Sequence, residues 1–104
     1  MSTIGHFTLA KDGGWMGTIR TLTINAKVRL VPNDNRDHEN APAYRLLLGH
    51  SRIGDAWDAE TTGEEPRPYL RVRFDDPALF ESVSAALFPG EEGTSAKLIW
   101  NRSR

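Results

Sequence analysis

Apolar positions along this chain recur every second residue in short stretches, and Gly, Pro, Asn or Asp interrupts nearly all of them. Val28, Leu30 and Pro32 alternate with Lys27, Arg29 and Val31; Leu70, Val72 and Phe74 alternate with Arg71, Arg73 and Asp75. A period of two sends successive side chains to opposite faces of a pleated sheet, so the pattern predicts half-buried antiparallel strands. Such strands are expected over residues 4–10, 15–24, 26–31, 44–48, 53–57, 69–75 and 95–100. Phe7 and Leu9 point inward in the first, and Asp12-Gly13 supplies a tight hairpin turn after it. Within 15–24 the alternation slips: Trp15 and Ile19 favour one face, Leu22 and Ile24 the other. That slip predicts a bulge or bend over 17–21. No Gly or Pro separates this strand from the next, which is compatible with one continuous bent strand.

The segment 76–89 reads two ways. Asp76 as a cap, Pro77 at a first helical position, then Leu79, Phe80, Val83 and Leu87 fit an amphipathic helix. Residues 82–87 fit a strand nearly as well, and a turn over 77–81 leading into a strand is the preferred reading. Polar loops are expected over 33–42 and 59–68, a hairpin at Gly90-Glu91-Glu92-Gly93, and a fraying basic tail over 101–104. The sum is a single all-β domain over residues 1–104, a small partly open antiparallel barrel or a compact sandwich of about seven to eight strands. Val28, Leu30, Leu46, Leu48, Ile53, Leu70, Val72, Phe74, Leu98 and Trp100 are its expected core. Trp57 is assigned to the core as well, while Trp15, at the mouth of the first hairpin, is expected to be the most exposed tryptophan.

Composition narrows the class. At 104 residues, with 38% apolar and 26% charged positions, the chain has room for one core and is too apolar for a disordered segment. It contains no cysteine, which excludes disulfides, thiolate metal sites and a cysteine nucleophile, and fits a reducing cytoplasm. The opening residues lack the basic and apolar regions of a signal peptide, and no apolar run approaches the ~20 residues of a membrane span. A cytoplasmic protein without a membrane partner is therefore expected.

Candidate chemistry is sparse. His38 among Asp34, Asp37 and Glu39 has acidic neighbours, but the turn glycine and distant Glu of a calcium loop are missing, and Arg36 intrudes. His6 and His50 stand in other segments, and no helical pair of zinc ligands occurs. No Gly-x-Ser-x-Gly elbow or phosphate-binding loop is present, and Asp75-Asp76 reads as a strand end and a cap. No catalytic residue, metal or cofactor is assigned, and the expectation is a protein that is not an enzyme.

Charge arrangement says more than the net charge of −1. Most carboxylates fall in expected loops, whereas Arg20, Lys27, Arg29, Arg45, Arg71, Arg73 and Lys97 fall in expected strands. Were these strands to share a face, Lys27, Arg29, Arg71 and Arg73 would form a basic patch with Tyr69 at its end, extended by Arg20 and Arg45. Cations that track phosphates beside an aromatic that stacks a base suit single-stranded DNA or RNA. The competing reading is that such residues only guard sheet faces and edges against aggregation, with partners such as Asp75 neutralising some of them. A third reading takes Leu79, Phe80 and Phe88 as an apolar patch for a protein partner or for self-association; the oligomeric state is left open.

Several motifs are familiar in order along nearly the whole chain. Ile4-Gly5-His6-Phe7-Thr8, the run 17–23, the run 26–32, Asn40-Ala41-Pro42-Ala43-Tyr44-Arg45, Ile53-Gly54-Asp55-Ala56-Trp57, Asp75-Asp76-Pro77 and Leu98-Ile99-Trp100 together resemble the family known as domain of unknown function 736. The resemblance implies a short single-domain protein of proteobacterial plasmids and integrative conjugative elements. It implies no activity and transfers no site residue. Its members often carry a second proline after Pro77; residues 78–82 here lack one, which keeps the helix alternative open. The expected function is a weak single-stranded nucleic-acid-binding accessory of a mobile element, or alternatively an interaction module that adapts or blocks a host factor.

The face assignment is testable at one residue. Val72→Asp should abolish cooperative thermal unfolding, because a carboxylate placed on an inward position has no partner there. A variant that stays folded and melts as sharply as the parent would reverse the assignment of that strand.

Overall fold

The computed structural model describes residues 2–33 and 41–100. These form eight strands, β1 (Ser2–Leu9), β2 (Trp15–Arg20), β3 (Asn25–Pro32), β4 (Tyr44–Leu48), β5 (Ser51–Glu60), β6 (Pro68–Phe74), β7 (Val83–Pro89) and β8 (Ser95–Trp100). Each pairs antiparallel with the next, and β8 returns to pair with β1, so the sheet closes into an up-and-down barrel. The expected partly open barrel is thus a closed one. The acidic stretch with Asp34, Asp37, His38 and Glu39 and the tail over 101–104 lie outside the described residues.

Closure sorts the alternating side chains into an inside and an outside. Phe7, Trp15, Ile19, Val28, Leu30, Leu46, Ala56, Leu70, Val72, Phe74, Leu87, Ala96 and Leu98 are buried within the ring. An eight-stranded barrel is just narrow enough for side chains to fill it, and these do. Lys27, Arg29, Arg71, Arg73 and Lys97 occupy the outer positions of the same strands. An apolar interior with a charged outer wall is the reverse of a barrel that faces lipid. No helix among the described residues is long and apolar enough to cross a membrane.

At the inward glycines Gly17 and Gly54 neighbouring strands come especially close. Gly17 in β2 stands opposite Phe7, and Gly54 in β5 stands opposite Phe74. A Cβ at Gly54 would collide with the Arg73 carbonyl and lie 2.7 Å from the Phe74 Cα. One at Gly17 would meet the His6 carbonyl and lie 2.8 Å from the Phe7 Cα. At both positions the neighbouring backbone comes too close for any side chain, as happens where a barrel strand coils sharply.

Several expectations need correction. The run 15–31 is not one bent strand: β2 and β3 form a hairpin, closed by the Thr21 amide donating to the Ile24 carbonyl at 2.8 Å. The turn lacks Gly and Pro because the Thr21 hydroxyl accepts from the Thr23 and Ile24 amides at 3.3 and 3.1 Å, which takes their place. Register shifts fall elsewhere, in β1 between Thr3 and Gly5, and between β4 and β5 at Leu46/Leu47. In the latter, Leu46 pairs with Gly54 and Leu47 with Arg52, so Ile53 is the extra residue. Ile53 and Trp100 consequently pack on the core from its periphery, and Leu48, at a strand end, is 41% exposed. Leu9, at the other end of the barrel, is also exposed. Trp15 is buried between Leu9 and Leu30, while Trp57 stands on the outside. For the segment after Asp76 the turn-then-strand reading holds: Asp76 Oδ2 accepts from the Ala78 amide at 2.9 Å, the Leu79 amide donates to the Asp76 carbonyl at 2.8 Å, and β7 follows.

The connections define two unlike ends. One end carries the turns 21–24, 49–50 and 75–82; we call it the mouth. The other carries the turns 10–14, 61–67 and 90–94, with Asp12, Glu64, Glu65, Glu91 and Glu92, and Glu60 at the end of β5.

The close approach at Gly54 gives a stability test. Gly54→Ala should destabilise the barrel by about 2–3 kcal/mol, because the atoms it meets are backbone and cannot rotate away. For a domain of this size that is a drop of roughly 10 °C or more in Tm. Ser84→Ala, on the outer wall, is the control and should melt as the parent does.

Candidate nucleic-acid interface

The outer wall is arranged in rows, because residues opposite one another in register point the same way. Across β5 to β8, Trp57 stands opposite Arg71, Arg71 opposite Ala86, and Ala86 opposite Ile99. The neighbouring row runs from Asp55 through Arg73 to Ser84. On the other side, Tyr69 stacks on Phe88 with ring centroids 5.0 Å apart and planes 22° from parallel. Phe88 is opposite Lys97, and Lys97 opposite His6. Ser84 and Ala86 are small, so the larger side chains around them enclose a groove of about 510 Å³ lined by Trp57, Tyr69, Arg71, Arg73, Ala86 and Ile99. A second hollow, which shares Trp57 and Arg73, continues it toward Ile53 and Ser82.

Of the residues singled out from the sequence, Tyr69, Arg71 and Arg73 therefore come together in one groove. Arg71 and Arg73 are exposed, and among the described residues neither meets a carboxylate at ion-pair distance. The nearest candidates are engaged elsewhere. Asp55 accepts from Arg52 Nη2 at 2.6 Å and Nε at 3.0 Å, and Asp75 Oδ1 accepts from the Asp76 amide at 2.9 Å. Among the described residues, Arg73 Nη2 reaches the Ser82 hydroxyl, at 3.4 Å.

Lys27 and Arg29 do not join them. They lie on β3, three strands from β6 in a ring of eight, so the two basic pairs occupy different walls rather than one flat face. Their surroundings are Met16, Thr18, Leu47 and Gly49, with no aromatic ring among them. Arg29 Nη2 lies 3.5 Å from the Gly49 carbonyl. Arg20 ends β2 beside the mouth.

Arg45 has structural work. Its Nη2 and Nε donate to Asn33 Oδ1 at 2.8 and 3.2 Å. Asn33, a buried polar residue, donates from Nδ2 to the Pro42 carbonyl at 2.9 Å and from its amide to the Ala43 carbonyl at 2.9 Å. The pair clamps both ends of the β3–β4 connection, so Arg45, although opposite Asp55 in the row that holds Arg73, uses its guanidinium on Asn33.

Trp57 and Ile99 line the groove, with Phe88 beside it against Tyr69 and Lys97 opposite Phe88; none of the four was assigned to it from the sequence. A signal for Trp57 was present: Asp55 shares its alternating set with Ile53 and Trp57, and a carboxylate in that set marks it as outward.

A family model described as protein of unknown function, DUF736, matches residues 3–103, and the chain belongs to that family. Searches of curated proteins and of solved structures found no match.

The Arg45–Asn33 clamp separates stability from binding. Asn33→Ala should cost about 1.5–3 kcal/mol, since it leaves a half-buried guanidinium without its acceptor. In a double-mutant cycle with Arg45→Ala, measured by chemical denaturation, the coupling should exceed about 1 kcal/mol. Additive losses would mean that the two side chains do not act as a unit.

Proposed function

We propose that this chain is a weak single-stranded nucleic-acid-binding accessory protein with little sequence preference, using the groove across β5 to β8. The setting is a mobile genetic element, as the family resemblance suggests. The observation that carries the reading is the interleaving of Trp57 and Tyr69 with Arg71 and Arg73 in one groove of the outer wall, with Phe88 stacked on Tyr69 at its side. Aromatic faces stack bases of any identity, and cations between them neutralise the backbone, so affinity comes without base readout.

The groove favours single strands. Trp57 and Tyr69 are diagonal neighbours, about 7–8 Å apart in a standard sheet, too far for one base to cover both. Two successive unpaired bases fit, with Arg71 between them for a phosphate. Tyr69 offers one ring face, because Phe88 stacks on the other. Phe88 also fixes the ring before a base arrives, so less side-chain freedom is lost on binding. Lys97, opposite Phe88, can extend the path toward β1. Lys27, Arg29 and Arg20, on the other wall, add attraction at a distance rather than contacts in the groove.

Affinity should be low. Among the described residues, six carboxylates crowd the end opposite the mouth, at Asp12, Glu60, Glu64, Glu65, Glu91 and Glu92, and they oppose the approach of a polyanion. No step of chemistry is assigned to the groove; the reading is one of binding.

Fluorescence anisotropy with a labelled oligonucleotide at low salt tests this. Log affinity should fall linearly with log salt, and two lost phosphate contacts in Arg71→Glu/Arg73→Glu should flatten the slope by about 1.4. Trp57→Ala should cost about 1–3 kcal/mol of binding. Lys27→Glu/Arg29→Glu should weaken binding less than the β6 pair does. No binding by the parent, or equal binding by a folded β6 double variant, would remove the proposal.

A further inference from the structure

We propose that the mouth of the barrel is a self-association surface on which a second copy of this chain docks, mouth to mouth. Leu22 and Phe80 are fully exposed, one in each of two turns. Those turns join β2 to β3 and β6 to β7, so they rise from opposite sides of a ring of eight strands. Both nevertheless line the same cup of about 590 Å³, whose floor and walls include Ile4, Ile24, Leu79, Val83 and Trp100. The patch Phe80 was expected to share with Phe88 does not form, because Phe88 lies on the outer wall against Tyr69. Phe80 belongs instead with Leu22.

This surface carries both halves of an interface. Two apolar side chains project, and an apolar recess lies between them. A surface that holds its own knobs and hollows is what a two-fold dimer requires, since each copy must offer the same patch. A two-fold axis across the mouth, at right angles to the line joining the two turns, sets Leu22 of each copy over the Phe80 turn of the other. Charge agrees with that pairing. Arg20 adjoins the Leu22 turn, while Asp75, Asp76 and Glu81 adjoin Phe80, so the same rotation brings opposite signs together. Among the described residues the far-end turns carry Asp12, Glu64, Glu65, Glu91 and Glu92 against Lys11 and Arg67, an acidic excess that opposes docking of a second copy there. The occupant is therefore a second chain, meeting the first at this end.

Sedimentation of the full-length, nuclease-treated protein over about 1 μM to 1 mM should show one chain passing to two as concentration rises. Leu22→Asp and Phe80→Asp should each weaken the dimer at least about tenfold. At concentrations where the parent is a monomer neither should shift the melting curve, since both side chains are exposed there. The absence of cysteine permits a geometric check. Mixed Leu22→Cys and Phe80→Cys chains should cross-link to each other on mild oxidation, and a Thr62→Cys chain at the far end should not cross-link to either. A parent that stays monomeric throughout overturns the proposal. So does a dimer that both aspartate variants leave intact, or cross-linking no faster at the mouth than at Thr62. Binding of an apolar dye or peptide to a monomeric parent would assign the cup to another ligand.

Discussion

Pairing of β1 with β8 is the contact on which the rest of this structure depends. Without it the chain would be a curled eight-stranded sheet with two bare edges, each an invitation to pair with another molecule. With it, every strand has two neighbours and the sheet has no edge left. Closure also decides what each side chain is for. Half of every strand must fill the ring, and the other half has nowhere to go but solvent. A functional surface on this barrel therefore lies on the wall or at the ends, since the interior is taken up by buried apolar side chains, Ile19, Leu30, Leu46, Leu87 and Leu98 among them.

Closure has a geometric cost, met by small residues at chosen points. Gly17 and Gly54 let the backbone of a neighbouring strand come within reach of their Cα atoms, and Phe7 and Phe74 lie opposite them. The same device, turned outward, makes the groove. Ser84 and Ala86 are short where Arg71, Arg73, Trp57 and Ile99 are long, so the wall is hollow along β7 rather than smooth. Strand coiling and surface relief thus come from one sequence choice made on opposite faces of the sheet. The register shift at Ile53 serves both, because it brings Asp55 and Trp57 onto the outer rows beside Arg73 and Arg71.

What the sequence made legible follows from this division. Alternation alone placed Val28, Leu30, Leu70, Val72, Phe74 and Leu98 inside, because a period of two is a local property. It marked Tyr69, Arg71 and Arg73 as one outward set for the same reason. It could not reveal that β3 and β6 face different ways, since that depends on how many strands separate them in a closed ring. Nor could it show that β1 meets β8, a contact between the two ends of the chain. Trp57 was misplaced because bulk was weighed ahead of the carboxylate that shares its face. The hairpin at Thr21 was missed because a hydroxyl, rather than a glycine, holds the turn. Arg45 looked like its basic neighbours until Asn33, twelve residues away, proved to hold it.

The separation of the wall from the mouth has a physical consequence for how the two could operate together. The groove runs over the middle of β5 to β8, whereas Leu22 and Phe80 project beyond the strand ends. A partner copy at the mouth would leave the groove around Trp57, Tyr69 and Arg71 open while bordering its continuation at Ser82, and two copies joined there would present two grooves on one particle. Weak sites gain most from such pairing, because the second contact with the same strand becomes intramolecular and its effective concentration replaces the bulk one. On the proposed reading, such a particle would hold a long single strand while releasing a short one, even with each individual contact weak. Affinity would depend on the length of the strand before it depended on the bases in it.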